Sequence, residues 1–224
     1  MTFSIVARSA GAQLFGVAIA SSSPAVAARC MHGRARVGAA ATQNITDPSL
    51  GRGVLDVLGR GLQAQAALAE VLSATPFAAY RQLLAIGSSG PPAIHSGAQG
   101  LGTVNGAIGA HAAAAGNLLA SPAVPAAMIT AFEAATGHFG DCLLHALRAG
   151  LDAGGEAGPV HSAGLLIVRD VSWPIVDLRV DWTDDDPVAA LSAIWRRYAP
   201  QIDDYVRRAI DPGRAPSYGV PGDL

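Results

Sequence analysis

Apolar and polar residues alternate from Thr2 to Arg8, with Phe3, Ile5 and Ala7 set against Thr2, Ser4 and Arg8, and a similar run covers Phe15 to Ser21. A period of two marks a strand with one face turned to a core. The turn chemistry of Ser9-Ala10-Gly11-Ala12 between the two runs predicts a hairpin. Because its first strand opens at residue 2, the amino end is expected inside a sheet. Ser21 to Arg34 has no clean period and reads as a loop, followed by a strand over Ala35 to Thr42. Asp47-Pro48 then opens a helix that carries Leu50, Val54, Leu55 and Leu58, and Gly61 divides it from a second helix, Ala64 to Leu72, which stops ahead of Pro76.

Tyr80 to Ile86 and Ala93 to Ser96 read as a strand pair around Gly87-Ser88-Ser89-Gly90-Pro91-Pro92, while the Gly- and Ala-rich stretch Gly97 to Gly116 fits short strands, a loop or both. Ser121-Pro122 has the form of a cap followed by Pro at the first helical position, which predicts a helix through Ala135. Leu143, Leu144, Leu147 and Leu151 give the next helix, Gly140 to Leu151, ended by Gly154-Gly155. Two strands, Ala163 to Arg169 and Ile175 to Val180, are expected deep in the core. Pro187 starts a last helix that reaches toward Arg208, and the Pro- and Gly-rich residues 211–224 read as an extended tail behind a single domain over residues 1–210. Strands, helices, strands, helices, strands and a helix, in segregated runs, define an α+β class rather than strict βαβ alternation.

Half of the residues are hydrophobic and 14% are charged, so charged surface is scarce and a homo-oligomer that hides part of it is expected. A net charge of -2 with scattered arginines offers polyanions no footprint, and nucleic acid is not expected as a partner. All fifteen basic residues are Arg, which excludes a Schiff-base lysine, a phosphate-loop lysine and a lysine that activates a nucleophile. Cys30 and Cys142 form no CxxC pattern and imply neither a disulfide framework nor a zinc knuckle. With no signal-peptide pattern at MTFSIVARSA and no apolar run of about 18 residues, the expected protein is cytoplasmic and makes no use of a membrane. His32, His95, His111, His138 and His145 lack HxH or HExxH spacing, so no metal is expected, and Gly97 to Gly109 never form GxGxxG, so no dinucleotide cofactor is expected either. Cys30 with His32 is a weaker nucleophile pair, since an unpaired cysteine is usually inert.

The blocks Thr2 to Arg8, Gly16 to Ser21, Val37 to Gln43, Gly51 to Gly61, Tyr80-Arg81-Gln82, Gly116 to Ala120, Ala149 to Gly155, Ser162 to Leu166 and Val176 to Val180 follow one another in order and spacing so that residues 2–190 resemble the domain-of-unknown-function 1028 family (DUF1028). That family is similar to the N-terminal-nucleophile (Ntn) hydrolases, and the resemblance implies a four-layer αββα sandwich. The chain departs from the family pattern at Ala114-Ala115, where a polar residue or Cys-Gln usually precedes Gly-Asn, and in the turn Glu156 to His161.

What the resemblance implies for the chemistry starts at Thr2. An Ntn site uses the hydroxyl of the first residue as nucleophile and that residue's α-amine, of pKa near 8, as base. Thr2 is placed for this once Met1 is removed, though Thr also simply suits the start of a strand. Ser21 follows the second strand, where related hydrolases put a polar residue near the nucleophile, while Ser21-Ser22-Ser23-Pro24 is equally an ordinary turn. Arg29, Arg34 and Arg36 lie where proteasome-like sites carry their lysine; Arg36 is the preferred anchor for a substrate carboxylate, and Gln43 closes the same block as a further substrate-binding residue. Gly116-Asn117 fits an oxyanion-hole element, because a glycine allows close approach and an amide donates to developing negative charge, or else a capped turn. Ser162 stands where related folds position a helper hydroxyl, beside His161, a side chain that switches charge near neutrality. The implied activity is hydrolysis of a small amide-containing metabolite, with Thr2, Asn117 and Ser162 catalytic and Ser21, Arg36, Gln43 and His161 binding substrate. The alternative is a non-catalytic small-molecule-binding or scaffold protein on the same fold.

Overall fold

In a computed structural model, which describes residues 2–11 and 13–220, strands β1 (Thr2–Arg8) and β2 (Phe15–Ser21) form the expected hairpin, with Phe3 opposite Ala20 and Arg8 opposite Phe15. Ala12 of the predicted turn and residues 221–224 of the predicted tail lie outside the described residues, as does Met1. The segment expected to be a loop instead folds into a short helix, α1 (Val26–Cys30), and a strand, β3 (Met31–Arg34), that pairs with β4 (Gly38–Asn44). Five helical residues are too few to show a period, and burial of Val26, Ala27 and Cys30 against the neighbouring strands supplies what local propensity does not.

Asp47 caps α2 (Pro48–Gly59) as its sequence predicts, its Oδ1 accepting from the Ser49 N–H at 3.0 Å, and α3 (Ala64–Ser73) follows. β5 (Arg81–Gly87) and β6 (Ala93–Ser96) complete one sheet; β7 (Asn105–Ile108) and β8 (Ala112–Asn117) are short strands within the Gly- and Ala-rich stretch. Helix α4 runs from Val124 to Ala134, so Pro125 rather than Pro122 occupies the first turn, and Ser121 closes a small turn by accepting from the Ala123 N–H. Helix α5 (Phe139–Asp152), strands β9 (Ser162–Val168) and β10 (Val176–Val180), and helix α6 (Pro187–Tyr198) follow. The single predicted last helix is broken at Pro200, which has no N–H to donate and sits in a 3-10 turn before α7 (Ile202–Ile210). From the last turn of α7 the Arg208 guanidinium reaches the residues that follow, lying 3.9 Å from the centre of the Tyr218 ring and donating to the Pro216 carbonyl.

The fold is therefore mixed α+β with two antiparallel sheets. Among the described residues one has six strands in the order β10-β9-β2-β1-β8-β7 and the other four, β3-β4-β5-β6. β9 is buried throughout, but β10 is an edge strand with Asp177 and Arg179 in solvent, so only the first of that pair lies deep in the core.

The apolar core of the described residues divides into three clusters. Phe3, Ile5, Met128, Leu143, Leu147, Leu165 and Trp195 fill the space between the six-stranded sheet and α4 to α6. Val6, Val17, Ile19, Leu84 and Ile86 pack between the sheets together with the small Ala39, Ala41, Ala113 and Ala115. Val54, Leu58, Leu68 and Leu83 join the four-stranded sheet to α2 and α3. Full burial of each large apolar side chain contributes about 1.5–3 kcal/mol. Both faces of β1 are thus covered. The polar half of its alternation, Thr2 and Ser4, faces the second sheet and not water, with Ser4 fully buried.

Where β4 and β5 run closest, a Cβ added at Gly38 would stand 2.2 Å from the Ile86 carbonyl oxygen. Backbone cannot step aside as a side-chain tip can, so Gly38→Ala is expected to cost about 1–3 kcal/mol. A lower urea midpoint with an unchanged slope would register this; an unchanged midpoint would contradict the packing.

Candidate functional site

Register alone brings four polar residues to one edge of the six-stranded sheet. Asn117 of β8 is opposite Thr2 of β1, and Ser21 of β2 is opposite Ser162 of β9, at neighbouring strand ends. All four are buried. The Thr2 hydroxyl is 3.4 Å from the Ser21 hydroxyl, whose oxygen also accepts from the Ser23 N–H. Thr2 and Asn117 line a cavity of about 360 Å³ that is also walled by Arg29, Asn44, Ile45 and Leu101. A larger cavity, about 720 Å³, opens at the other end of β1 around Arg8, Leu14, Phe132 and Phe139. Its walls are mostly apolar, and it is a strand length away from the convergent polar groups, so the smaller cavity is the candidate site.

A chain of buried amides ties this edge to the second sheet. The Ser4 hydroxyl donates to Gln43 Oε1 (2.7 Å), and Gln43 Nε2 donates to Gln82 Oε1 (2.7 Å) and to the Ala115 carbonyl (3.2 Å). Gln82 Nε2 donates to Ser96 Oγ and to the Gly116 carbonyl (2.9 and 3.1 Å). A carbonyl only accepts, so the contact with Gly116 fixes the orientation of Gln82 and leaves its Oε1 facing Gln43 and Asn117. Asn117 therefore presents its Nδ2 to Gln82, at 3.2 Å, and keeps its Oδ1 buried with no hydrogen-bond partner among the described residues. One N–H of Nδ2 remains for an oxyanion, while the orphan Oδ1 is an acceptor that calls for a hydrogen-bond donor.

The other predicted residues occupy different positions. Gln43 is fully buried in the amide chain between the sheets and does not line the cavity. Arg36 is exposed in the β3–β4 turn at φ 63, beyond Gly38; Gly38 pairs with Gly87, whose carbonyl receives Arg8, so the structure puts Arg36 at the far end of the strands from Thr2. Arg29, from the same arginine cluster, is the one at the cavity. Ser162 donates to the Ser23 carbonyl at 2.6 Å, which braces the loop between β2 and α1. His161 donates from Nδ1 to the Thr183 carbonyl at 2.8 Å, and its ring stacks on Trp182 at 4.1 Å.

Glu156 was not singled out for chemistry by its sequence context. Gly154 and Gly155, at φ 120 and 57, turn the chain back from α5 in conformations that favour glycine, and this tucks Glu156 beneath the loop after β2. Both carboxylate oxygens accept from the Ser22 N–H, at 3.0 and 3.1 Å. Burial pushes its pKa up from 4.5 to about 6, against the lowering effect of the Ser22 hydrogen bonds and of His161. Of the five non-glycine residues at positive φ among the described residues, Ala25, Asn44 and Leu118, at 51, 63 and 50, lie around this edge, while Arg36 lies at the far end of the strands. Such conformations cost on the order of 1 kcal/mol each and persist where the surroundings impose them, as at ligand sites.

Residues 2–191 match the family model described as "Family of unknown function (DUF1028)". Among solved structures the chain is similar to protein SPO2555 from Silicibacter pomeroyi, itself assigned to DUF1028, with 31% identity and a TM-score of 0.85 over 92% of this chain and 90% of that one. It is also similar to Anbu, an ancestral beta-subunit from Yersinia bercovieri, with 12% identity and a TM-score of 0.38 over 91% of this chain and 97% of that one. At that level of superposition the second likeness carries no argument about this protein. No curated protein matches the chain.

The raised pKa of Glu156 makes a stability prediction. Its folded value lies above its unfolded one, so the folded protein holds the proton more tightly, and stability is full below about pH 4.5 and declines as pH rises through about 6. The decline is expected to be about 1–2 kcal/mol. Glu156→Gln should remove it, leaving the variant more stable than wild type at pH 8 and flatter between pH 4.5 and 7 in denaturant titrations; parallel curves would refute the buried carboxylate.

Proposed function

Because this chain belongs to the DUF1028 family, a family of unknown function matched over residues 2–191, its chemistry must come from its own side chains, and we propose that it is an Ntn-type hydrolase of a small amide-containing metabolite. On this reading α4 to α7, the six-stranded sheet, the four-stranded sheet and α2 with α3 are the successive layers of an αββα sandwich. The observation that carries the proposal is the position of Thr2. It heads a central strand, its hydroxyl is 3.4 Å from Ser21 Oγ, and it shares a cavity wall with Asn117.

Removal of Met1 would give Thr2 a free α-amine, whose pKa near 8 suits it to take the hydroxyl proton at working pH. The Thr2 oxygen attacks the substrate carbonyl, and the second N–H of Asn117 Nδ2 meets the oxyanion, with Gln82 holding the amide in place. The C–N bond then breaks, the amine leaves with the proton, and water hydrolyses the ester on Thr2. Ser162 acts through the loop it braces and is a positioning residue. Two buried free thiols, Cys30 and Cys142, accord with a reducing cytoplasm, and exposed Phe77, Ile108 and Trp182 support self-association. No helix among the described residues is long and apolar enough to cross a membrane.

The test begins with the mature amino terminus, measured by intact mass, and continues with turnover of a panel of acylated amines. Protein that starts at Thr2 should be active, with kcat/KM rising through about pH 8, and Thr2→Ala should lose roughly 10³-fold or more while keeping its melting temperature. Active protein that retains Met1, or full activity in Thr2→Ala, would remove the hydrolase reading and favour the non-catalytic binding protein.

A further inference from the structure

Arg29 is the one charged side chain among the described residues that line the candidate cavity. It stands in the last turn of α1, exposed, and its Nη1 donates to the Pro24 and Ala25 carbonyls at 2.7 and 3.2 Å. Those two bonds hold the guanidinium against its own loop. Nε and Nη2 have no partner among the described residues, and Arg29 has no carboxylate within ion-pair distance there. A planar fork held at one nitrogen, on the wall of a small cavity, is suited to a carboxylate.

A second, independent feature of the same wall points to a ligand. Asn117 is 1% exposed, and its Oδ1 is an acceptor without a donor among the described residues. The amide chain from Ser4 through Gln82 fixes which atom this is, so the missing partner is a hydrogen-bond donor, a part that an amide N–H fills. The same wall carries an exposed apolar lip, Ile45 at 49% and Leu101 at 43%, beside the polar Ser23, Asn44 and Thr46. Asn44 pins this lip by donating to the Tyr80 carbonyl and accepting from the Leu101 N–H, at 2.6 and 3.2 Å.

An acceptor, a cation and an apolar lip around one hydroxyl define a substrate class. We propose that the cavity binds an N-acyl amino acid with an apolar side chain, its carboxylate on Arg29, its amide N–H on Asn117 Oδ1 and its side chain against Ile45 and Leu101. The assignment of the carbonyl to Thr2 rests on the hydrolase reading; binding does not. Where both hold, cleavage of the C–N bond adds the hydroxyl of water to the acyl carbon and its proton to the nitrogen, releasing a carboxylic acid and a free amino acid.

Calorimetric titration of Thr2→Ala protein keeps binding apart from turnover. N-acetyl-L-leucine is expected to bind at least about tenfold more tightly than N-acetyl-L-leucinamide, which lacks the carboxylate, and than N-acetyl-N-methyl-L-leucine, which lacks the N–H. A further Arg29→Gln change, at an exposed position, should abolish the preference for the acid and leave the leucinamide affinity as it was, with Arg29→Lys retaining part of the preference. No saturable binding, equal binding of acid and amide, or an affinity unmoved by Arg29→Gln would overturn the proposal. Tighter binding of Gly-Gly-Gly-Leu than of N-acetyl-L-leucine would also overturn it, in favour of peptide carboxyl termini. Binding as expected by Thr2→Ala together with no turnover by wild-type protein would sink the hydrolase reading and leave the binding site standing.

Discussion

The two sheets meet through a hydrogen-bonded chain of amides, Ser4 to Gln43 to Gln82 to Asn117, and the geometry of the candidate site depends on it. Between stacked sheets a side-chain amide without partners costs more than its hydrogen bonds contribute when made. Gln43 and Gln82 are satisfied only if β4 and β5 lie in one register under β1 and β8, because their Nε2 atoms must reach the Ala115 and Gly116 carbonyls, at 3.2 and 3.1 Å. A slip of one residue would turn both amides away from the second sheet. Apolar packing holds the layers together, and this polar chain selects which alignment they adopt. Asn117 terminates the chain at the cavity with one atom unpaired among the described residues, so the rigidity of the interior is passed directly to a residue of the cavity wall.

Close approach of the sheets is what lets so short a chain of side chains span them. Ala39 and Ala41 of β4 and Ala113 and Ala115 of β8 belong to one buried cluster between the sheets, and larger residues there would hold the layers apart. Ala115 contributes a small side chain to the interface, and its main-chain carbonyl accepts from Gln43. Gly116 is equally constrained, since a Cβ there would come within 2.5 Å of Leu119 and 3.1 Å of the Thr2 carbonyl.

Much of this was legible from periodicity. The opening hairpin, the capped helix at Asp47, the β5–β6 pair and α5 follow from local patterns that tertiary packing reinforces. α1, β3 and the break at Pro200 were not legible, because the first two are too short to carry a period and an Ala-Pro step inside a helical pattern can kink a helix as readily as end it. Within the site, Thr2, Ser21, Asn117 and Ser162 are the residues that the family resemblance implies, and strand pairing brings them to one edge of the six-stranded sheet. Arg36 could not be told from Arg29 in the same way: both lie near strand β3, one in the turn that leads away from the cavity and one on the helix beside it, and only the unrecognised helix decides between them. Glu156 was passed over as one residue of an irregular turn, since its burial depends on the Gly154-Gly155 reversal and on contact with Ser22 across the fold.

The site also accounts for where stability is spent. A buried carboxylate with a raised pKa, an orphan amide oxygen and the positive-φ residues Ala25, Asn44 and Leu118 are each unfavourable in isolation, and these lie around the same edge of the six-stranded sheet. Covering β1 on both faces with apolar clusters offsets such costs and removes any freedom to relax them by local movement. A strand end held this way keeps a hydroxyl, an amide and a loop N–H in fixed relation before any ligand arrives. Such preorganisation is of use to binding and to catalysis alike, because the ordering cost is already met in folding. On the proposed hydrolase reading, the choice between those two uses falls on a group the folded scaffold does not itself determine, the α-amine of Thr2 that removal of Met1 would release.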